Sequence, residues 1–288
     1  MSKPTKPVTT IKQATVLLLC LLATACTTKI AYNYLDWIIE WYVSDLVTLN
    51  DDQEWKLTEV IDQELLWHRQ TQLPQYVNAL EQLSTDIEYG LTFESLNRFY
   101  QTNENAWSSL KRHVTPDVTR LFKTLNDSQV EELLKNLEQQ NLELEEEYVN
   151  KPADERMKQR SERMTDHIES WTGDLNKKQK RLINNWSRQV NPLSKQWIAT
   201  RRAWQASLGQ ILRNYRGKPE FDNLIHDLFY NSRKFWPQWY HDAFYDNVYL
   251  TLHMFANLSK QFTPEQKQHL LGELRHLRRN LQELQKDD

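Results

Sequence analysis

Side chains able to do chemistry are plentiful in this 288-residue chain, but their spacing rarely lets them act together. Eight histidines could bind metal, yet no two stand four apart as a helical zinc site requires. Glu273 and His276 supply one Glu-x-x-His element, whereas a di-iron bundle needs two such pairs and two further carboxylates. They flank a stripe of leucines, so they read as a solvated helix face. His241, Asp242 and Asp246 do not converge on one helix face either. There is no Gly-x-Ser-x-Gly turn, no phosphate-binding glycine loop and no cysteine nucleophile. Neither metal, nor cofactor, nor enzymatic activity is expected. The polar pair that draws most interest is Asp36 with Glu40. Both lie on the narrow polar stripe of a segment that is otherwise aromatic or aliphatic, Tyr32 to Val43. Such a helix reads as buried at the centre of a bundle, so its carboxylates need partners. His68 and Arg69, closing the next helix, are the candidates, and structural ion pairing is the expected role. The alternative, a helix lying in the membrane interface, suits its Trp and Tyr but is disfavoured because no Lys or Arg occurs from Ala31 to Trp55.

The other reactive group is the thiol of Cys26. Lys3, Lys6 and Lys12 precede an apolar run from Val16 to Ala23, and Ala23-Thr24-Ala25 leads into the cysteine. A basic start, a short apolar core and small exit residues describe a secretory signal peptide. The run falls short of the roughly 20 residues a membrane-spanning helix needs. The exit resembles the bacterial lipobox, which implies cleavage before Cys26 and acylation of that residue. Several acyl chains together hold a protein durably, where one holds only marginally. The next residue is Thr27 rather than Asp, which implies the outer membrane. The expected layout is a signal peptide over 1–25, a lipidated cysteine and short tether over 26–30, and a periplasmic body over 31–288. That body is one helical domain, or two lobes meeting near residue 150.

Both cysteines precede residue 27, so the body can form no disulfide and no cysteine-ligated metal site. The overall charge of −3 conceals a segregation. Residues 27–150 carry 9 basic against 23 acidic side chains, and residues 151–218 carry 16 against 6. Lys177, Lys178, Lys180 and Arg181 form the densest basic cluster, at the start of a helix, where cations oppose the macrodipole. Either the basic segment faces the acidic one and neutralises it, or it is an exposed surface for an anionic envelope polymer. Internal neutralisation is the preferred reading. Trp186, Trp197 and Trp204 alternate with basic residues, as in nucleic-acid binders, but the expected compartment argues against such a partner.

A phrase recurs at Leu49-Asn-Asp-Asp-Gln53, Leu125-Asn-Asp-Ser-Gln129, Leu175-Asn-Lys-Lys-Gln179 and Phe262-Thr-Pro-Glu-Gln266, with a weaker copy at Leu91-Thr-Phe-Glu-Ser95. It is a capping box with its hydrophobic staple, the signature of a helix start. Gly90, Gly173 and Gly217 suit helix ends. Pro74, Pro116 and the other prolines suit starts or breaks, so helices are predicted over 51–70, 73–89, 93–113 and 116–124 among others. The expectation is an all-α bundle of roughly ten to twelve helices with no sheet.

Tyr34-Leu-Asp-Trp37, Leu66-Trp-His-Arg69, Leu73-Pro-Gln-Tyr76, Glu147-Tyr-Val149 with Pro152, and Arg160-Ser-Glu-Arg163 with Trp171 and Trp186 carry a likeness. Taken together they resemble a proteobacterial lipoprotein family, domain of unknown function 6279. The resemblance implies an address in the envelope and brings no activity. The function expected is therefore binding or structural support on the periplasmic face of the outer membrane, with an envelope protein or anionic polymer as partner. A helical periplasmic chaperone or stress-response adaptor is the alternative, and it needs an exposed apolar groove. An envelope-polymer hydrolase is the second, and it needs clustered acids in a cleft.

Overall fold

Five helix starts are built alike. Asn50, Thr92, Asn126, Asn176 and Thr263 each accept the backbone N–H three residues on through the side chain. Gln53, Ser95, Gln129, Gln179 and Gln266 reach back to accept the cap's own N–H. Each box satisfies two donors that a helix start leaves bare. A computed structural model describes residues 25–286, the side chains of 25–28 excepted, and those residues form an all-α fold with no strand. The expected signal segment thus lies outside the described residues, save Ala25.

In chain order the elements are α1 (Ala25–Asn33), α2 (Leu35–Leu46), α3 (Asp51–Trp67), a π-helical turn (His68–Gln72), α4 (Leu73–Tyr89), α5 (Phe93–Thr124), α6 (Asp127–Tyr148), α7 (Ala153–Thr172), α8 (Lys177–Gln189), α9 (Ser194–Tyr215), α10 (Phe221–Tyr230), a 3-10 turn (Ser232–Phe235), α11 (Gln238–Ser259) and α12 (Pro264–Leu284). Gly90 and Gly173 end α4 and α7 at positive φ, a region that costs other residues more.

Three apolar clusters hold the helices together. Leu57, Ile61 and Leu65 of α3 meet Leu73 and Leu80 of α4 and the leucine stripe of α12. Val130 and Leu133 of α6 meet Leu208 and Leu212 of α9 and Phe221 and Ile225 of α10. Ile168 of α7 meets Ile183 and Trp186 of α8 and Leu258 of α11.

The capping glutamines also join helix starts in pairs. Gln53 and Gln129 exchange amide hydrogen bonds at 3.2 and 2.7 Å, and Gln179 and Gln266 do so at 2.7 and 3.2 Å. Each remaining amide N–H goes to a carbonyl two residues before the partner's cap, at Thr124, Thr48, Gln261 and Asp174. All four amides are buried and fully bonded, the condition under which buried polar groups are tolerated. The two clasps are near copies of one another, each with local two-fold symmetry.

Several expectations need correction. α2 is not a buried central helix: none of its residues is buried. Leu35, Ile39 and Val43 pack at the margins of the core, while Tyr34, Trp37 and Trp41 face solvent. An apolar circumference signals burial only if neighbours surround the helix, and α2 lies against α3 and α6 with one face alone. The stretch 26–30 read as a tether falls within α1, which packs on α12. Lys29 Nζ meets Glu283 Oε2 at 2.9 Å, and Tyr32 enters the first core cluster. The break placed before Pro116 is absent, and α5 runs through it. Buried Thr115 and Thr119 bond back to the carbonyls of Lys111 and Thr115, bracing the turn that loses the proline N–H. Pro74 is handled differently. The N–H of Leu73 reaches five residues back to the carbonyl of His68, and the wider π turn lets Pro74 begin a fresh helix.

The charge segregation has a counterpart along α6 and α9. Arg202 binds Glu138 and Glu145, each at 2.8 Å, Arg213 binds Glu131 at 2.6 Å, and Arg216 pairs with Asp127. Beneath these, Asn141 is fully buried, donating to Gln205 and accepting from Arg201 Nε at 2.7 Å.

Candidate functional site

The last turn of α3 and the π turn after it gather the most unusual polar groups. A π turn holds more residues than an α turn, so it redirects side chains, and single π turns recur at functional sites. Here it buries both His68 and Gln72.

On one side of this turn, His68 Nδ1 lies 2.9 Å from the Tyr32 hydroxyl, and Nε2 is buried without a hydrogen-bond partner. The Tyr76 ring is 5.6 Å from the imidazole, and the Arg69 guanidinium sits 5.8 Å over the Tyr32 ring. Burial, assisted by the Arg69 charge, pushes the His68 imidazole down to about 4 and so keeps it neutral. Burial pushes the Tyr32 phenol up to about 12, against the pull of Arg69.

On the other side, Trp67 stacks on His113 with ring centroids 3.7 Å apart and planes inclined by 7°. His113 Nε2 lies 3.3 Å from Glu64 Oε2. His113, Asp117 and Arg120 share a face of α5, spaced four and three apart. Asp117 pairs with Arg120 and also faces Glu64. Burial, then the hydrogen bond with Asp117 and the repulsion of its charge, push the Glu64 carboxyl up to about 7, while Arg120 opposes the rise. Two carboxyls that share a proton titrate as a pair, as when like charges meet in an acid–base site. The two sides join through Trp67 and His68, whose rings are 6.5 Å apart.

Of the four residues expected to cluster, the fold therefore brings two together. His68 and Arg69 meet at the π turn. Asp36 stays exposed on α2, and Glu40 accepts a hydrogen bond from Thr58 of α3 at 2.5 Å instead. The partner of His68 is Tyr32, a residue the sequence reading assigned only to the apolar wall. Glu64, His113 and Asp117 were missed altogether. Their signal existed, since Asp117 and Arg120 follow His113 at helical spacing, but it was hidden by the break assigned at Pro116.

The basic cluster is exposed at all four positions. Lys180 Nζ binds Glu169 Oε1 of α7 at 2.9 Å, and both residues belong to the basic segment itself. Internal neutralisation thus describes α9 against α6 and does not extend to these four. Cys26 stands in the first turn of α1, and its side chain lies outside the description. Two shallow depressions lie elsewhere: about 250 Å³ against Gly272, Arg275, Arg278 and Arg279, and about 350 Å³ between α6 and α9 at Arg202 and Gly209. Among the described residues no three His, Cys, Asp or Glu side chains gather as metal ligands would, and no helix is long and apolar enough to cross a membrane.

Residues 45–241, well over half of the chain, match the model of a family described as "Family of unknown function (DUF6279)". The chain belongs to that family. The matched span contains the π-turn cluster except Tyr32, which precedes it, and begins near the end of α2. Neither the curated proteins nor the solved structures provide a match.

Proposed function

We propose that this family member is a lipid-anchored protein of the bacterial outer membrane, with its helical body on the periplasmic face serving as a binding or structural element. One observation carries the reading: the lipobox-like Ala23-Thr24-Ala25-Cys26 behind a short apolar run, placed where α1 begins. Lipid attached there would join the body through a helix docked on α12, with Tyr32 in the core. The body would then be held close to the leaflet. The test is Cys26→Ser, followed by fractionation and acyl labelling in cells. The anchored reading expects loss of label and release from the outer membrane. Retention of both in the variant overturns it.

One observation favours a second reading, hydrolysis of an envelope polymer. Glu64 and Asp117 are clustered acids with a raised carboxyl, and a carboxyl near neutrality can exchange protons as a general acid. The two depressions described above do not include them. Glu64→Gln would abolish any such activity on peptidoglycan, and an unchanged rate would remove this reading.

A further inference from the structure

Helix α2 is apolar on two opposite faces, and the fold uses one of them. Leu35, Ile39 and Val43 supply the face turned to the core. Across the helix, Tyr34, Trp37 and Trp41 stand three and four apart, the spacing of a single stripe. Ile30, on α1 before the turn at Tyr34, is exposed as well. Their exposures are 61% for Ile30, 59% for Tyr34, 61% for Trp37 and 41% for Trp41. Folding stability does not account for a row of aromatics left in water, and contiguous exposed apolar surface marks a contact site. The occupant follows from position. Cys26 stands one helical turn before Ile30 in α1, and the residues preceding α1 end in the apolar run. Tryptophan and tyrosine favour the headgroup level of a bilayer.

We infer that Ile30, Tyr34, Trp37 and Trp41 form an interfacial stripe that lies in the phospholipid leaflet holding the anchor. This inference rests on the anchored reading above and adds a second attachment to it. The chemistry of the surface specifies its partner further. No Lys or Arg occurs from Ala31 to Trp55, while Asp36, Glu40 and Asp45 do. Interfacial helices usually pair an apolar face with basic residues that seek anionic lipid. This stripe has no such attraction to offer. It therefore binds zwitterionic phospholipid as well as anionic, with little dependence on salt. One attachment at Cys26 alone would leave the body free to pivot. A stripe of this kind fixes which side of the body faces the membrane.

The full chain, isolated from cells and reconstituted in phosphatidylcholine vesicles with brominated acyl chains, tests this. Bromine quenches only tryptophan that reaches the lipid. The expected result is a quenched, blue-shifted component that Trp37→Phe with Trp41→Phe removes, because those two rings are its source. Trp37→Ser with Trp41→Ser in the Cys26→Ser background should lower vesicle binding by about tenfold or more, with unchanged far-ultraviolet dichroism. Adding phosphatidylglycerol or salt should alter binding by less than about twofold. Acyl labelling of the same preparation keeps the two ideas apart. Labelled protein whose Trp37 and Trp41 are not quenched overturns the stripe and leaves the anchor standing. Unlabelled protein whose two tryptophans are still quenched overturns the anchor and leaves the stripe. Cross-linking of position 37 or 41 to a second copy, without quenching, assigns the surface to a dimer and also overturns the inference.

Discussion

Acidification should separate two opposed proton equilibria in the π-turn cluster. Folded His68 titrates at about 4 against an ordinary 6.5. Between those values the unfolded chain takes up a proton that the folded chain refuses. The stability from neutral His68 is present above 6.5 and is lost as pH falls toward 4. From pH 7 to pH 5 this amounts to about 2 kcal/mol. Glu64 acts the other way. Its folded value of about 7 exceeds the ordinary 4.5, so the folded chain keeps a proton the unfolded chain has lost. That stability is present below about 4.5 and is lost as pH rises through 7. The carboxyl is partly open to solvent, and screening reduces its swing over the same interval to about 1 kcal/mol. The native chain should therefore lose only about 1 kcal/mol between pH 7 and pH 5 from this cluster, Glu64→Gln about 2, and His68→Gln should gain about 1. Urea unfolding followed by circular dichroism at the two pH values reads these differences. Loss of the Tyr32 contact lowers the stability of His68→Gln at both pH values and so does not disturb the comparison. Identical pH dependence in His68→Gln and the native chain would refute the reasoning.

Other outcomes follow from the same structure. Gln53→Glu, harmless in an open capping box, should cost about 2–4 kcal/mol here, because a carboxylate cannot donate to Gln129 or Thr124; a shift of the urea midpoint below that range would weaken the clasp argument. Asn141→Ala should cost about 2–3 kcal/mol by stranding Gln205 and Arg201, and Arg201→Met in that background should recover part of it, as a double-mutant cycle can measure. Replacing Lys177, Lys178, Lys180 and Arg181 with Gln should leave the urea midpoint essentially unchanged, since these cations are exposed. The same variant should bind anionic vesicles as the native chain does at physiological salt; a salt-sensitive loss would make the cluster a functional surface.

The helix starts were legible because a capping box is local: Asn176 and Gln179 carry the whole instruction within four residues. The pairing of the boxes was not, since Gln53 and Gln129 are 76 residues apart and nothing local distinguishes a glutamine that caps from one that also clasps. The all-α class followed from composition and caps together. α2 was misjudged for a different reason. Its sequence demands that two faces leave water, and the sequence does not say that the fold supplies a neighbour for only one. His68 and Arg69 are legible as the polar close of a helix, but the partners expected for them, Asp36 and Glu40, are not the ones the fold supplies, because Tyr32 occupies His68 and Thr58 occupies Glu40. Glu64 and Asp117 were lost because a carboxyl pair made from two helices has no spacing, and Pro116 looked like a boundary where Thr115 and Thr119 in fact carry α5 onward.

The clasps have a further consequence, for the order in which the chain closes and opens. They bring together residues 76 and 87 positions apart, the separations at which a disulfide would remove about 4–5 kcal/mol of loop entropy from the unfolded chain. With both cysteines before residue 27, no such covalent link is open to the body. An amide pair restrains nothing once the chain has unfolded, and contacts so distant in sequence tend to form late. Changes of Gln53, Gln129, Gln179 or Gln266 to Glu, which keep the local capping box and remove the distant amide bonds, should therefore accelerate unfolding while leaving refolding nearly untouched. In that role the glutamines act as latches: they add nothing to the search for the native state, but they lengthen its lifetime.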